Sequence, residues 1–525
     1  MIAGLLGIPW TPPVNSRPVL VTGITHSHSA VRPGDLYVVL PDSRKDAGEA
    51  VAVARAAGAV AVLAEPAAAQ RLGECGLPVL VVTALRSRLA ELSSWFYGRA
   101  ADGLLSFGVT GTNGKTTTCY LLEGGLSGAG RSPALLGTVE RRLGAERFAG
   151  ELTTPEAPQL YALLAVMAER GADALAMEVS SHALRLGRVD ALVLDVAVFT
   201  NLTHDHLDFH PDMEDYYRAK AALFAPQRCR RAVINIDDPY GRRLAGQAGV
   251  PVVTFSAEGD PGADWRAVDT VLGADGSTFR VLGPGGARAD ARIALPGGYN
   301  VANALGAVAA LATGGLPLDR VVAGICAVSG VPGRMERVEA RQPYLAVVDY
   351  AHQPDALRAV LTTLRAVTRR RLHVVIGCGG DRDTAKRAVM GDIAARFADT
   401  AVLTSDNPRS EDPLAILAAM LSGATAVPDG ERGEILVLPD RAAAIAAAVA
   451  RAQAGDTVLI AGKGPEDGQQ LGAVILPFDD RAVLRAAVTT ARPAAPADAP
   501  AATGVQQQPK EQLLPALRPI TDGDF

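Results

Sequence analysis

GVTGTNGKTTT, residues Gly108–Thr118, follows the apolar run Leu104–Thr110 and leads into a helical stretch. In physical terms it is a phosphate-binding loop. Small residues let backbone N–H groups close around phosphate oxygens, and the helix N-terminus adds a partial positive charge. Gly111, Thr112, Asn113 and Gly114 form the turn, with Thr117 just inside the helix. Lys115 is placed to reach the terminal phosphates, and the Thr116 hydroxyl is placed to meet a magnesium ion. Gly108 lies one residue too early for the literal strand–Gly-x4-Gly-Lys-Thr pattern. An ordinary strand–helix turn would share the glycines but not the complete order of small residues, lysine and threonine.

Outward from this loop, apolar strands alternate with helical stretches. Ala174–Val179 and Ala191–Phe199 read as strands, and Ala157–Arg170 and Met213–Phe224 as helices. The rhythm begins again at about residue 337, with strands expected at Leu345–Tyr350, Leu372–Gly377, Thr400–Thr404, Glu434–Leu438 and Thr457–Ala461. The fold class is α/β with largely parallel sheets, the last part being Rossmann-like. A first segment, up to about residue 100, ends in the helix-like ALRSRLAELSSWFYGRA. From about residue 491 the chain turns to Pro, Ala and Gln, and this tail is expected to be disordered.

The 525 residues suffice for three to four domains at roughly 150 residues each. A formal charge of −5 announces neither a nucleic-acid nor a membrane surface. Cys75, Cys119, Cys229, Cys326 and Cys378 are scattered and form no CxxC pair, which favours a reducing compartment over a disulfide framework. No apolar run approaches the ~20 residues of a membrane helix, and the N-terminus lacks a secretory signal's basic start. The cytoplasm is the expected location. The chain has 45 arginines but six lysines: Lys45, Lys115, Lys220, Lys386, Lys463 and Lys510. Genome coding preference accounts for such a bias, yet a lysine in this background marks a position where a guanidinium will not serve.

Four of the eight histidines, His182, His204, His206 and His210, fall within about thirty residues, in MEVSSHALRLGRV and FTNLTHDHLDFH. Both segments follow strands, and open α/β sheets bind ligands at strand ends. Glu178 and His206 are candidate magnesium ligands, although oxygen is the more usual partner of this ion. A zinc reading lacks cysteine partners, and a polar loop of hydrogen-bonded histidines would look the same. Lys220, in EDYYRAKAALF, reads first as a solvated helix lysine. Its amine can also add CO2 to become a carbamate with two metal-facing oxygens, which arginine cannot do.

Three further loops follow strands: GCGGDRDTAKR, SDNPRSEDP and AGKGPEDGQ. Arg382 and Arg409 can grip a carboxylate bidentately, and Asp406, Asn407 and Glu466 can take an ammonium. Together these suit a zwitterion such as an amino acid. Each loop alone also reads as a surface turn rich in Gly and Asn-Pro.

With these residues in hand, the chain resembles the Mur ligase family. Within that family it is similar to the MurE branch, which adds the third residue of the peptidoglycan stem peptide to UDP-N-acetylmuramoyl-alanyl-glutamate. The resemblance runs from about Val31 to Asp480 and rests on eight motifs in family order. They are GTNGKTTT, TTPE, MEVSSH, NLTHDHLDFH, NVANALGA, GVPGRMERV, VVDYAHQPDAL and DNPR. It implies a three-domain architecture: a UDP-muramoyl-substrate-binding domain (1–100), a central P-loop-type parallel-sheet ATPase domain (101–336) and a Rossmann-like amino-acid-binding domain (337–490). It also implies that ATP phosphorylates the D-glutamate γ-carboxylate and that an amine attacks the acyl phosphate.

By position, the resemblance assigns Lys115 and Thr116 to ATP and magnesium, Glu178 and His206 to magnesium, and Lys220 to the family's carbamylated lysine. Asn300 and Asn303 match adenine-side contacts, and Arg334 and Asp349 match residues near the phosphates and ribose. Thr153, Thr154, Ser180 and Arg188 match contacts to the muramoyl peptide. Arg382, Asp406, Asn407, Pro408, Arg409, Gly462 and Glu466 match the amino-acid site. Arginine in the fourth place of DNPR resembles the diaminopimelate-adding enzymes, since its fork suits a second carboxylate that lysine lacks.

The departures are Ser27-His28-Ser29 for a usual Asp-Ser-Arg, the uridine-side loop Ser43-Arg44-Lys45-Asp46-Ala47, Leu186 for a common glutamine, and Pro465 for a histidine. They bear on the acceptor and on the added amino acid, while the ATP and magnesium residues are intact. The competing readings are a paralogous ligase serving another acceptor and a catalytically silent nucleotide-binding protein. The second predicts damage at Lys115, Glu178, His206 or Lys220, and there is none.

Overall fold

The structure is a computed structural model that describes residues 1–7, 19–41, 46–148, 150 and 152–491. Ser43, Arg44 and Lys45 of the uridine-side loop, and the tail from residue 492, lie outside them. Among the described residues no helix is long and apolar enough to cross a membrane.

The first strands, Gly23–Thr25, Asp35–Val38, Ala61–Ala64 and Val79–Val81, form a four-stranded parallel sheet in chain order. The second sheet has eleven strands. Its parallel heart is ordered Trp265–Gly273, Val252–Ser256, Cys229–Asn235, Leu194–Phe199, Leu105–Thr110, Ala174–Glu178, Pro133–Leu136. Antiparallel arms extend it at both edges: Gly276–Leu282 and Arg288–Ile293 on one side, Arg141–Leu143 and Glu146–Arg147 on the other. The third sheet runs Glu336–Arg337, Leu345–Asp349, Thr457–Ala461, Leu372–Ile376, Thr400–Leu403, Glu434–Val437. All but its first pairing are parallel.

Strand pleating explains why both faces are apolar. Phe107, Val109, Val196 and Val198 point to one side and pack against the helices Lys115–Gly128 and Gly298–Thr313. Ala197, Phe199 and Met177 point to the other and share a core with Leu36, Leu63, Leu85 and Leu89 of the first segment. Such doubly covered strands read as continuous hydrophobic runs, which is how they stood out in the sequence. The consequence for function is geometric. Parallel strands present all their C-terminal ends, and hence the loops that follow them, along one edge.

Candidate active site

The loop after strand Leu105–Thr110 is held from below by the next strand's loop. Thr112 N–H donates to Asn201 O (2.9 Å), Asn113 N–H to Asn201 Oδ1 (2.9 Å), and Thr200 Oγ1 to Asn113 O (2.6 Å). Gly111 (φ +151) and Gly114 (φ +86) lie where side chains rarely go. A Cβ at Gly111 would stand 1.9 Å from Thr200 Oγ1, and one at Gly114 would stand 2.3 Å from Asn303 Oδ1. Gly114→Ala therefore combines left-handed strain of roughly 1–2 kcal/mol with displacement of Asn303. We expect the KM for ATP to rise about tenfold in steady-state assays, with a smaller change for the other substrates.

Above this loop lies a cavity of about 820 Å³. It gathers Thr112, Asn113, Gly114, Lys115, Thr116 and Thr117 with Asn300, Asn303, Arg334 and Asp349, residues more than two hundred positions apart in part. Lys115 Nζ donates to Gly111 O (2.9 Å) and Thr112 O (2.7 Å). Burial lowers its pKa, while the Glu178 and Asp205 carboxylates oppose that fall. Arg334 lies over the Tyr350 ring (4.4 Å) and donates to Thr116 Oγ1 (3.2 Å). Asp349 is buried and accepts from Met335 N–H (2.7 Å) and Ala351 N–H (2.8 Å), and burial raises its pKa. Asn300 and Asn303 are linked (3.1 Å) at the N-terminal turn of their helix.

Glu178, His206 and Lys220 line the same cavity. The Glu178 carboxylate accepts from Thr138 N–H (2.8 Å) and Thr138 Oγ1 (3.1 Å). His206 has φ +54, a strained value that its neighbour supports: Asp205 Oδ1 accepts the His206 N–H (2.8 Å). Desolvation takes the imidazoles of His206 and His182 down to about 4, so both are neutral donors of a lone pair at neutral pH. His182 stacks on Phe209 (4.0 Å), and buried His210 joins the two histidine segments, contacting Asp215 (2.8 Å) and Ser181 (3.0 Å). His204 is exposed. Among the described residues no group of three or more His, Cys, Asp or Glu side chains is gathered as a metal cage. One carboxylate, one imidazole and the Thr116 hydroxyl fit magnesium, which keeps water and phosphate oxygens as its other ligands.

Lys220 is the most informative residue of the set. Its helix, Met213–Ala221, is capped by Asp212, whose carboxylate accepts from Asp215 N–H (2.7 Å). The polar sequence around it suggested a solvated face, but Lys220 is 1 % exposed. Its Nζ donates to Gly111 O (2.8 Å) and lies 4.6 Å from the Tyr216 ring centroid. Burial, with Lys115 nearby, pushes its pKa well below that of an ordinary lysine.

The residues expected to hold the acceptor lie on one flank. Thr153, Ser180 and Arg188 line the cavity, whereas Thr154 is fully buried behind it. Thr154 Oγ1 donates to Glu178 O (2.8 Å), and Ser180 Oγ caps the short helix Ser181–Arg185. Glu156, the last residue of TTPE, carried no assigned role in the sequence. It grips Arg188 (2.8 Å) and Arg86 (3.2 Å), and so joins the first segment to this flank.

The residues expected to hold the amino acid gather separately, at the strand ends of the third sheet. Asn407 Nδ2 donates to Glu466 Oε2 (2.9 Å) and Gly462 N–H to Asp349 O (3.1 Å). Arg409 Nη1 donates to Gly380 O (2.7 Å), in the loop that carries exposed Arg382. Pro408 O lies against Gly380, where a Cβ would stand 1.9 Å away. The cluster adjoins the cavity through Tyr350, since a Cβ at Gly464 would stand 2.7 Å from the Tyr350 Cβ. Pro465, one of the departures, packs on Gly333 beside Arg334.

Behind the cluster, Arg441 and Asp480 form a fully buried ion pair (2.6 Å). Arg441 also donates to Ser405 O (3.3 Å) and Ala461 O (3.0 Å), the carbonyls just before Asp406 and Gly462. No motif pointed to this pair. Arg441→Met strands the Asp480 carboxylate, and we expect a loss of roughly 3–5 kcal/mol in a denaturant titration.

Residues 109–311 match the family description Mur ligase middle domain, and residues 333–464 match Mur ligase, glutamate ligase domain. The chain is 60% identical over 487 residues to a UDP-N-acetylmuramoyl-L-alanyl-D-glutamate–2,6-diaminopimelate ligase of Streptomyces avermitilis, covering 93% of this chain and 95% of the relative. A protein of the same name from Streptomyces coelicolor is 61% identical over 468 residues, 89% of this chain and 92% of the relative. A solved structure of a protein with that name superposes with a TM-score of 0.66 at 32% identity, covering 93% of this chain and 98% of the other.

Proposed function

Because the chain belongs to the Mur ligase family, we propose that it is the ATP-dependent ligase of its MurE branch. The reaction joins diaminopimelate to the D-glutamate γ-carboxylate of UDP-N-acetylmuramoyl-L-alanyl-D-glutamate in peptidoglycan synthesis. The observation that carries this reading is the single cavity joining Lys115, Glu178, His206 and Lys220 to Asn300, Asn303 and Arg334. On this reading the chain comprises an acceptor segment (1–100), an ATPase segment (101–336) and an amino-acid segment (337–490). The proposed compartment is the cytoplasm, in keeping with five free thiols.

In the mechanism we propose, the γ-carboxylate oxygen attacks the terminal phosphorus of ATP, the bond to the bridging oxygen breaks, and ADP leaves. Lys115 and the loop N–H groups hold the phosphates in line, and Arg334, bonded to Thr116, neutralises charge beside them. Magnesium, held by Thr116, Glu178 and His206, would neutralise charge building on the phosphate oxygens. Carbamylated Lys220 would present two oxygens beside it. Thr153, Ser180 and Arg188 orient the acceptor. Asp406, Asn407, Arg409 and Glu466 hold diaminopimelate so that its neutral amine reaches the acyl carbon. The tetrahedral adduct then expels phosphate, the amide forms, and the amine's proton leaves.

Acceptor carrying heavy oxygen in the γ-carboxylate tests this route. The expected result is tripeptide product with one label atom retained in the amide and one transferred to phosphate, both read by mass spectrometry. Product formed with unlabelled phosphate would overturn the acyl phosphate.

A further inference from the structure

The four described lysines of this arginine-rich chain are all engaged inside the molecule. Lys115 and Lys220 donate to loop carbonyls, and Lys386 donates to His352 O (2.8 Å). Lys463 differs, because its two bonds go to side chains of the amino-acid cluster. It is fully buried, with its Nζ 3.0 Å from Asn407 Oδ1 and 2.9 Å from Glu466 Oε2.

These bonds remove a freedom that the site cannot tolerate. A carboxamide can turn over and exchange its donor and acceptor ends. Asn407 Oδ1 accepts from both Lys463 Nζ and Gln470 N–H (2.9 Å), so the NH2 end must face Glu466. That end donates to Glu466 Oε2 (2.9 Å), the same oxygen that Lys463 holds. The buried Lys463 ammonium, Asn407 and Glu466 thus form a closed triangle. A guanidinium is wider and planar, and brings more donors than this slot has acceptors.

We propose that Lys463 is a positioning residue of the amino-acid site, which fixes the orientation of Asn407 and Glu466 and so sets the affinity for the incoming zwitterion. The proposal rests on the reading of Asn407 and Glu466 as amino-acid contacts. It explains a lysine at this position in a chain with 45 arginines and six lysines.

The test is steady-state kinetics of the full-length enzyme with ATP, acceptor and diaminopimelate varied in turn. Lys463→Met is expected to raise the KM for diaminopimelate about tenfold or more. The KM for ATP and the kcat at saturating diaminopimelate should stay within about threefold. In a double-mutant cycle with Asn407→Ala the losses should be non-additive, the double variant being within about twofold of the worse single one. A merely structural lysine would raise every KM together or give additive losses, and either result overturns the proposal. Lys463→Gln, which keeps a neutral donor, serves as the milder variant if the methionine protein does not fold, and the same split is expected of it. An unchanged diaminopimelate KM in a variant of a wild type that saturates with this substrate defeats the role of Lys463 alone. A wild type indifferent to diaminopimelate defeats both this proposal and the reading beneath it.

Discussion

Lys220→Arg is expected to lose ligation on the order of 10²–10³-fold, while ATP is still bound. Lys220→Ala is expected to regain activity when formate or acetate is added. The argument starts from burial: a lysine 1 % exposed, facing one carbonyl and an aromatic ring, has an amine driven well below its usual range. A neutral amine adds CO2, with a nitrogen–carbon bond formed and a proton released. The resulting carbamate would carry negative charge toward Lys115 and offer two oxygens. Arginine keeps the positive charge and cannot make the adduct. Alanine leaves room for a small carboxylate to stand in. Steady-state rates with and without the added anion check both halves, and full activity in Lys220→Arg would sink the carbamate role.

The second large effect concerns the choice of amino acid. Arg409→Ala is expected to raise the KM for diaminopimelate on the order of 100-fold, with the KM for ATP unmoved, because on the proposed reading two charge-assisted bonds to a distal carboxylate would be lost. Arg409→Lys should recover part of this, since an ammonium offers a point charge in place of a fork. The backbone at Arg409 is held firmly in place. Its φ is +52, and it is pinned by Arg409 N–H to Gln470 O (3.2 Å) and Gly472 N–H to Arg409 O (2.7 Å). A strained residue held on both sides is preorganised, with little left to order when the substrate arrives. Competition assays between diaminopimelate and lysine give the readout. Unchanged discrimination in Arg409→Ala would remove Arg409 from the recognition of the second carboxylate.

Much of this was legible in the sequence where the signal is local. The loop Gly111–Thr117 announces itself through small residues between a strand and a helix, and the five expected strands of the third sheet lie within a residue or two of their expected ends, while its short antiparallel edge strand Glu336–Arg337 was not expected. The largely parallel reading of the second sheet missed its antiparallel arms. The meander Trp265–Ile293 alternates apolar and polar residues, and only what packs beneath it turns that alternation into one buried face. The burial of Lys220 was not legible either. The helix around it is polar, and its partner carbonyl is 109 residues away. Lys463 and the pair Arg441–Asp480 depend in the same way on contacts across the strand ends. Lys463 left two traces in the sequence, the scarcity of lysine and its place in AGKGPEDGQ, whereas Arg441 and Asp480 left none.

The most direct measurement of the central claim is ADP release by the purified protein with ATP, magnesium and UDP-N-acetylmuramoyl-L-alanyl-D-glutamate. Diaminopimelate, lysine or no amino acid is supplied in parallel, and products are read by mass. The account predicts turnover with diaminopimelate alone, yielding the tripeptide. Protein that binds ATP but does not turn over with this acceptor would contradict it. The departures at Ser27-His28-Ser29 and Pro465 would then mark a ligase for another carboxylate.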